Sequence, residues 1–211
     1  AEHVLLGLER STERVGRGLT MSGETTPPSS ALRALWDRLA ASDDDGAADA
    51  VKRAPGEHHK RVMMLLARRI RATRARDADL AYSDPEEFLA DLRVVQSSLD
   101  QAGAKRQAFG ALQQLIWAVE TFGFHLAELE VRQHSAVHAK VLAECEAGGE
   151  LSDLAVEVLE VFRTISQVQK RFGPRAAGRY IVSFTQSADD LANVHALARH
   201  AKNLQRNRAW R

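Results

Sequence analysis

The sequence predicts a mainly α-helical chain carrying a small α/β element: a helical region, then two parallel strands connected through helices. Three observations predict it. Apolar residues recur at helical spacing through most of residues 1–123. The period changes to alternation at "FHLAELEVRQ", Phe124 to Gln133. A second run rich in β-branched and aromatic residues, "YIVSFTQ", follows two further helical stretches.

Taken in order, the first helix carries Val4, Leu5, Leu8 and Val15 near one face and ends around Gly16 and Gly18. "MSGETTPPSS" is a loop. Ser30 can cap a second helix with Leu32, Leu35, Trp36 and Leu39. "ASDDDGAADA" reads as an acidic surface connection, and "KRAPGEHHK" as a turn into a long helix at 57–76 with Val62, Leu65, Leu66 and Ile70 in a stripe. Ser83 or Asp84 caps the next helix, with Pro85 in its first turn and Phe88, Leu89, Leu92, Val95 and Leu99 facing inward. Gly103 stops it. "AFGALQQLIWAVETFG" is apolar on most sides, which predicts a buried helix closed by Gly123 in a left-handed conformation. Trp36, Phe88 and Trp117 read as core aromatics.

After the first strand come helices at 135–147 and 151–171, a turn at "FGPRAAG", the second strand and a last helix. Ser187 caps that helix, with Asp190 three residues on. Strands separated by helices are most simply parallel neighbours with a right-handed crossover. Two strands make a poor sheet by themselves, so the α/β unit reads as incomplete. The expected division is a helical region at 1–123, two strand–helix units at 124–200, and an atypical tail, "AKNLQRNRAWR", at 201–211 without strand pattern.

A net charge of +1 over 211 residues gives no global field pointing to nucleic acid or a membrane. Cys145 is the single cysteine, so no internal disulfide can form, which fits a reducing cytoplasm. No apolar run approaches the roughly 20 residues needed to span a bilayer. The N-terminus "AEHVLLGLERSTER" has no signal-peptide pattern and no initiator methionine, as expected of a chain beginning inside a longer product.

If Phe124–Gln133 is a strand throughout, Phe124, Leu126, Glu128, Glu130 and Arg132 share one face and His125, Ala127, Leu129 and Val131 the other. The first face becomes charged toward its C-terminal end, where parallel α/β folds bind ligands. Arg132 is then a candidate anion ligand, its planar fork suited to phosphate or carboxylate, with Glu130 as an orienting ion-pair partner. A structural Glu–Arg pair on a half-exposed strand fits the same pattern. His134 and His138 have a spacing compatible with a metal, but without a third ligand they read as surface histidines. Helix 57–76 carries Lys60, Arg61, Arg68, Arg69, Arg71, Arg74 and Arg76 against Glu57. It contains no stacking aromatic, and Asp77, Asp79, Asp84, Glu86, Glu87 and Asp91 follow to neutralise it. Cys145 lies between Glu144 and Glu146, and neither a glycine-rich phosphate loop nor a nucleophile elbow around Ser183 or Ser187 is present.

Two segments carry a resemblance. "WAVETFGFHLAELEVRQHSAVHAKVLAE" resembles the phosphoenolpyruvate carboxylase family around the strand that ends in Arg-Gln, and "FGPRAAGRYIVSFTQSADDLANVHALAR" resembles that family's following strand and helix. The helical stretches "APGEHHKRVMMLLARRIRATR" and "DLRVVQSSLDQAGA" are similar to the family's preceding helices. The likeness reaches to about His200 and is strongest to the actinobacterial branch.

The resemblance implies that the two strands belong to an incomplete (β/α)8 TIM-type barrel. It implies an enzyme joining phosphoenolpyruvate and bicarbonate into oxaloacetate and phosphate with Mg2+ or Mn2+, cytoplasmic and tetrameric at full length. It assigns Arg132 to the substrate phosphate and Glu130 to orienting it; Ser183 matches the family's strand serine. The family's catalytic histidine lies upstream in a His-Pro-Thr-Glu type motif, while its metal-binding acids, mobile loop and inhibitor site lie downstream. None of these motifs occurs in this sequence, so the 211-residue chain is expected to hold no catalytic residue and no metal ligand and to be inactive alone. A competing expectation is a non-enzymatic helical module that binds an acidic partner through helix 57–76. A third is a fragment without stable fold, whose unpaired strand edges would aggregate.

Overall fold

The structure, a computed structural model, describes residues 2–208, with side chains through Lys202. It divides into two compact units, residues 1–126 and 127–211.

The first unit is helical: α1 (Glu2–Gly18), α2 (Ser30–Ser42), α3 (Asp44–Arg53), α4 (His58–Ala75), α5 (Pro85–Gln101), α6 (Lys105–Ala108) and α7 (Ala111–Phe122). The α1 stripe buries Leu5, Leu8, Thr12 and Val15. In α4, Val62, Met63, Leu65, Leu66 and Ile70 are all at most 1% exposed. Each such side chain contributes about 1.5–3 kcal/mol by leaving water. Helix α1 lies close on α4, for a Cβ added at Gly16 would stand 3.1 Å from Met63 Cβ. Phe88, Leu92, Val95 and Leu99 of α5 are fully buried in the same core, together with Leu112, Leu115, Ile116 and Val119 of α7.

Side-chain caps set the starts of α2 and α5. Ser29, one residue before the expected Ser30, accepts from Leu32 N at 3.2 Å. Asp84 accepts from Glu87 N at 2.8 Å, with Pro85 as the first helical residue. Gly103 (φ +78°) and Gly123 (φ +51°) take the positive φ that ends α5 and α7.

Two expectations fail in this unit. The acidic connection is the helix α3: Asp43 caps it, Asp44 and Asp45 complement the dipole at its start, Lys52 and Arg53 at its end, and Ala47 and Ala50 are buried. Helix α7 is not enclosed on all sides. Trp117 is 58% exposed and so is not a core aromatic, Phe122 is exposed as well, and Trp36 is only partly buried.

The second unit holds β1 (Glu130–His134) and β2 (Arg179–Ser183), paired in parallel with Arg132 opposite Ile181 and His134 opposite Ser183. Between them run α8 (Ser135–Ala147), α9 (Asp153–Phe172) and a 3-10 turn (Pro174–Ala177); α10 (Ala188–Arg208) follows β2. Val141, Ala155, Val158, Leu159, Phe162, Leu197 and Ala201 form its core.

The first strand is shorter than Phe124–Gln133. Phe124 is buried in the helical core, 3% exposed, and Leu126 has φ +79°, which no strand accommodates. Residues 124–129 are a turn and connection. The expected tail enters α10, which continues to Arg208; residues 209–211 lie outside the described residues.

Candidate functional site

Register partners in a parallel pair point to the same side of the sheet. Val131 and Tyr180 therefore share one face. Tyr180 packs on the helix core, its ring stacked on Phe162 at 5.2 Å. Glu130, Arg132 and His134 lie on the opposite face of β1, exposed, with Arg179, Ile181 and Ser183 of β2 beside them.

Glu130 and Arg132 are thus neighbours on the open face, but no ion pair joins them among the described residues. The acid that gathers arginines at this sheet is Glu128, just before β1. It accepts from Arg175 Nε at 2.9 Å and stands 3.2 Å from Arg179 Nη2. Alternation did not single it out, because its partners arrive from the turn and strand that follow α9. No ion pair or side-chain hydrogen bond engages the Arg132 guanidinium among the described residues.

The C-terminal ends of the strands are tied together. His134 caps α8, its Nδ1 accepting from Ala136 N at 3.1 Å. Ser183 Oγ donates to Gln133 O at 3.2 Å, and buried Ser135 donates through Oγ to Phe184 O at 2.8 Å. Asp190 accepts from Gln186 N and Ser187 N at 2.8 and 3.1 Å, which holds its carboxyl below the usual range.

His138 is not a surface histidine. It is 0% exposed, and its Nε2 lies 2.9 Å from Tyr180 Oη. Burial lowers its pKa and raises that of Tyr180, so both stay neutral near pH 7. Burial and the flanking Glu144 and Glu146 push the Cys145 thiol up, away from reactive thiolate character. Among the described residues no group of three or more His, Cys, Asp or Glu side chains is arranged to hold a metal.

The basic helix α4 spends its charge within its own unit. Arg68 grips Asp43 through Nε at 2.5 Å and Nη2 at 2.9 Å. Arg69 reaches Glu87 at 2.8 Å and Asp91 at 3.5 Å, and Arg38 also pairs with Asp91. Arg71 and Arg74 meet at Glu9, at 2.7 and 3.1 Å. Lys60 pairs with Glu57 at 2.8 Å. Burial alone would raise Glu9, but the two guanidiniums outweigh it and hold the carboxyl low. At Asp91 burial wins, and the carboxyl is raised despite Arg38, Tyr82 and Arg69. A cleft of about 340 Å³ beside α1 and α4 includes Arg17, Lys60, Arg68 and Arg71 in its lining, and all four are in ion pairs. Expected neutralisation through Glu87 and Asp91 is observed, while Glu9 and Asp43 are partners that sequence proximity did not indicate.

Comparison with known proteins adds to this geometry. The sequence model of the family described as phosphoenolpyruvate carboxylase matches residues 2–151 and 146–211. The phosphoenolpyruvate carboxylase of Xanthomonas campestris pv. campestris is 31% identical over 207 residues, covering 86% of this chain and 23% of that protein. That of Burkholderia vietnamiensis is 32% identical over 157 residues, 59% of this chain and 16% of the relative. That of Burkholderia mallei is 34% identical over 146 residues, 54% of this chain and 15% of the relative. The chain therefore spans less than a quarter of the length of these curated relatives.

Proposed function

This chain belongs to the phosphoenolpyruvate carboxylase family, and from that premise we propose that it is a segment of an enzyme converting phosphoenolpyruvate and bicarbonate into oxaloacetate and phosphate. In this reading β1 and β2 are two neighbouring strands of a (β/α)8 barrel, and Arg132 binds the substrate phosphate. The observation that carries it is Arg132 itself: an exposed guanidinium on the open face of a parallel strand, near its C-terminal end, without a carboxylate partner among the described residues. Parallel α/β proteins bind ligands at that end of the sheet.

The chemistry asks for such a group. The phosphoryl group moves from the enol oxygen to a bicarbonate oxygen, leaving carboxyphosphate and the enolate of pyruvate. Carboxyphosphate releases carbon dioxide and phosphate, and the enolate carbon adds to the carbon dioxide. Charge on the phosphoryl oxygens shifts during the first step, and a fixed cation stabilises it there. Glu128 holds Arg175 and Arg179 as neighbouring charge. Glu130, on the same face two residues from Arg132, is assigned the orienting role in the assembled barrel.

The family's divalent metal does not fit the described residues, since no group of three or more potential ligands among them is arranged to hold one. We assign the general acid–base groups to other parts of the enzyme, the location to the cytoplasm, and the assembly to a homotetramer. No helix among the described residues is long and apolar enough to cross a membrane.

The competing reading, an interaction module recruiting an acidic partner through α4, is weakened by the internal pairing of Lys60, Arg68, Arg69, Arg71 and Arg74. The test is oxaloacetate formation, followed by coupled reduction, for the isolated 211-residue chain and for an intact carboxylase carrying this segment. Activity of the intact enzyme alone is expected. Turnover by the isolated chain above a mock preparation would overturn the assignment of the acid–base groups elsewhere. An inactive, folded intact enzyme, or salt-dependent binding of the isolated chain to a polyanion, would favour the interaction module.

A further inference from the structure

The residue that follows β2 is held in a backbone conformation that bulky residues avoid. Phe184 has φ +57°, in the left-handed region where a Cβ meets the following carbonyl. Burial does not compensate, because Phe184 is 73% exposed. The conformation is imposed from outside: Ser135 Oγ holds Phe184 O at 2.8 Å, Thr185 Oγ1 donates to Val182 O at 3.0 Å, and Asp190 fixes the next two N–H groups. Strain over-determined in this way marks functional positions more often than loops at large.

The ring has a definite seat. It stacks on the His134 imidazole with centroids 4.7 Å apart and planes 22° from parallel. His134 ends β1 and shares the open face with Arg132. A flat aromatic surface therefore stands at the strand ends, one side-chain position beyond the guanidinium.

We propose that Phe184, seated on His134, is the apolar wall of the Arg132 site and distinguishes a phosphate ester with a planar enol body from inorganic phosphate. This rests on the reading of Arg132 as the phosphate ligand. Substrate and product both carry a phosphate that a cation would grip alike. Only the flat body of the substrate offers carbon surface for an aromatic ring to cover.

The experiment compares Phe184→Gly, Phe184→Leu and Arg132→Gln in an intact carboxylase carrying this segment. It reads KM for phosphoenolpyruvate and Ki for inorganic phosphate. Phe184→Gly raises KM about 10-fold, the scale of a lost apolar pocket contact, while Ki stays within about 2-fold of wild type. Phe184→Leu recovers most of the loss. Arg132→Gln weakens both ligands. If Arg132→Gln changes neither, the phosphate reading fails; if it weakens both but Phe184→Gly moves KM and Ki equally, or neither, the wall is refuted alone. A thermal melt of the same intact enzymes guards against a folding artefact. Because glycine takes positive φ freely, Phe184→Gly melts at or above the wild-type temperature. A lower melting temperature would mark Phe184 as a packing residue and overturn the proposal.

Discussion

Asp43→Ala tests how the helical unit is held. The Asp43 carboxylate does two things at once: it caps α3 by accepting from Gly46 N at 2.9 Å, and it grips Arg68 of α4 at 2.5 and 2.9 Å. Losing the cap costs about 1 kcal/mol. The ion pair adds about 1 kcal/mol, because its carboxylate side chain is 9% exposed but its guanidinium is 40% exposed and screened by solvent. The sum is about 2 kcal/mol, a fall in Tm of about 4–8 °C for a chain of this size. Asp43→Asn keeps a good cap and loses the charge, so it falls about half as far. Circular dichroism melts of the three proteins measure this directly. The Arg68 hydrogen bonds are the leading reason that the Asp43 carboxyl is held low, so its contribution is present above the unfolded pKa and disappears as pH falls through the lower folded value. The gap between wild type and Asp43→Ala therefore closes in acid. A gap below about 0.5 kcal/mol at neutral pH, the range of an ordinary surface substitution, would show that Asp43 neither caps α3 nor ties it to α4.

Three further outcomes are expected. Leu66→Ala, at a residue 0% exposed in the centre of α4, destabilises by about 2–5 kcal/mol in denaturant titration. His59 is buried, with Nε2 2.9 Å from Ser98 Oγ, and burial followed by repulsion from His58 pushes its pKa from 6.5 to about 4. Its neutral form stabilises fully above pH 6.5 and that stability declines toward about 4, so His59→Leu flattens the pH dependence of Tm across that window, and NMR titration of the ring checks the value. Tyr180→Phe removes the hydroxyl from buried His138 and destabilises the second unit by about 1 kcal/mol, measurable by hydrogen exchange of α8.

The long amphipathic helices were legible because their stripes are also their buried faces, as at Val62, Leu65, Leu66 and Ile70. The strand was legible only in part. "FHLAELEVRQ" alternates throughout, yet Phe124 packs in the helical core and Leu126 turns the chain, and alternation does not encode either fact. Helix α3 escapes local pattern because an aspartate run reads as a surface connection, although acids at the start and Lys52 and Arg53 at the end are a helix-dipole signature. At the candidate site, the shared face of Glu130 and Arg132 follows from period two, whereas the packing of Tyr180 that covers the other face is visible only in the structure. Glu128 as the arginine partner, His138 as a buried group and Phe184 in its left-handed conformation depend on contacts across 42 to 49 residues, beyond the reach of local patterns.

The role of Arg132 as phosphate ligand is decided by the kinetics of Arg132→Ala in an intact carboxylase carrying this segment, with phosphoenolpyruvate as the varied substrate. A loss in kcat/KM worth about 2–4 kcal/mol is expected, the range for a lost charged contact to the reacting phosphoryl group. Wild-type kcat/KM in a correctly folded Arg132→Ala enzyme would contradict it.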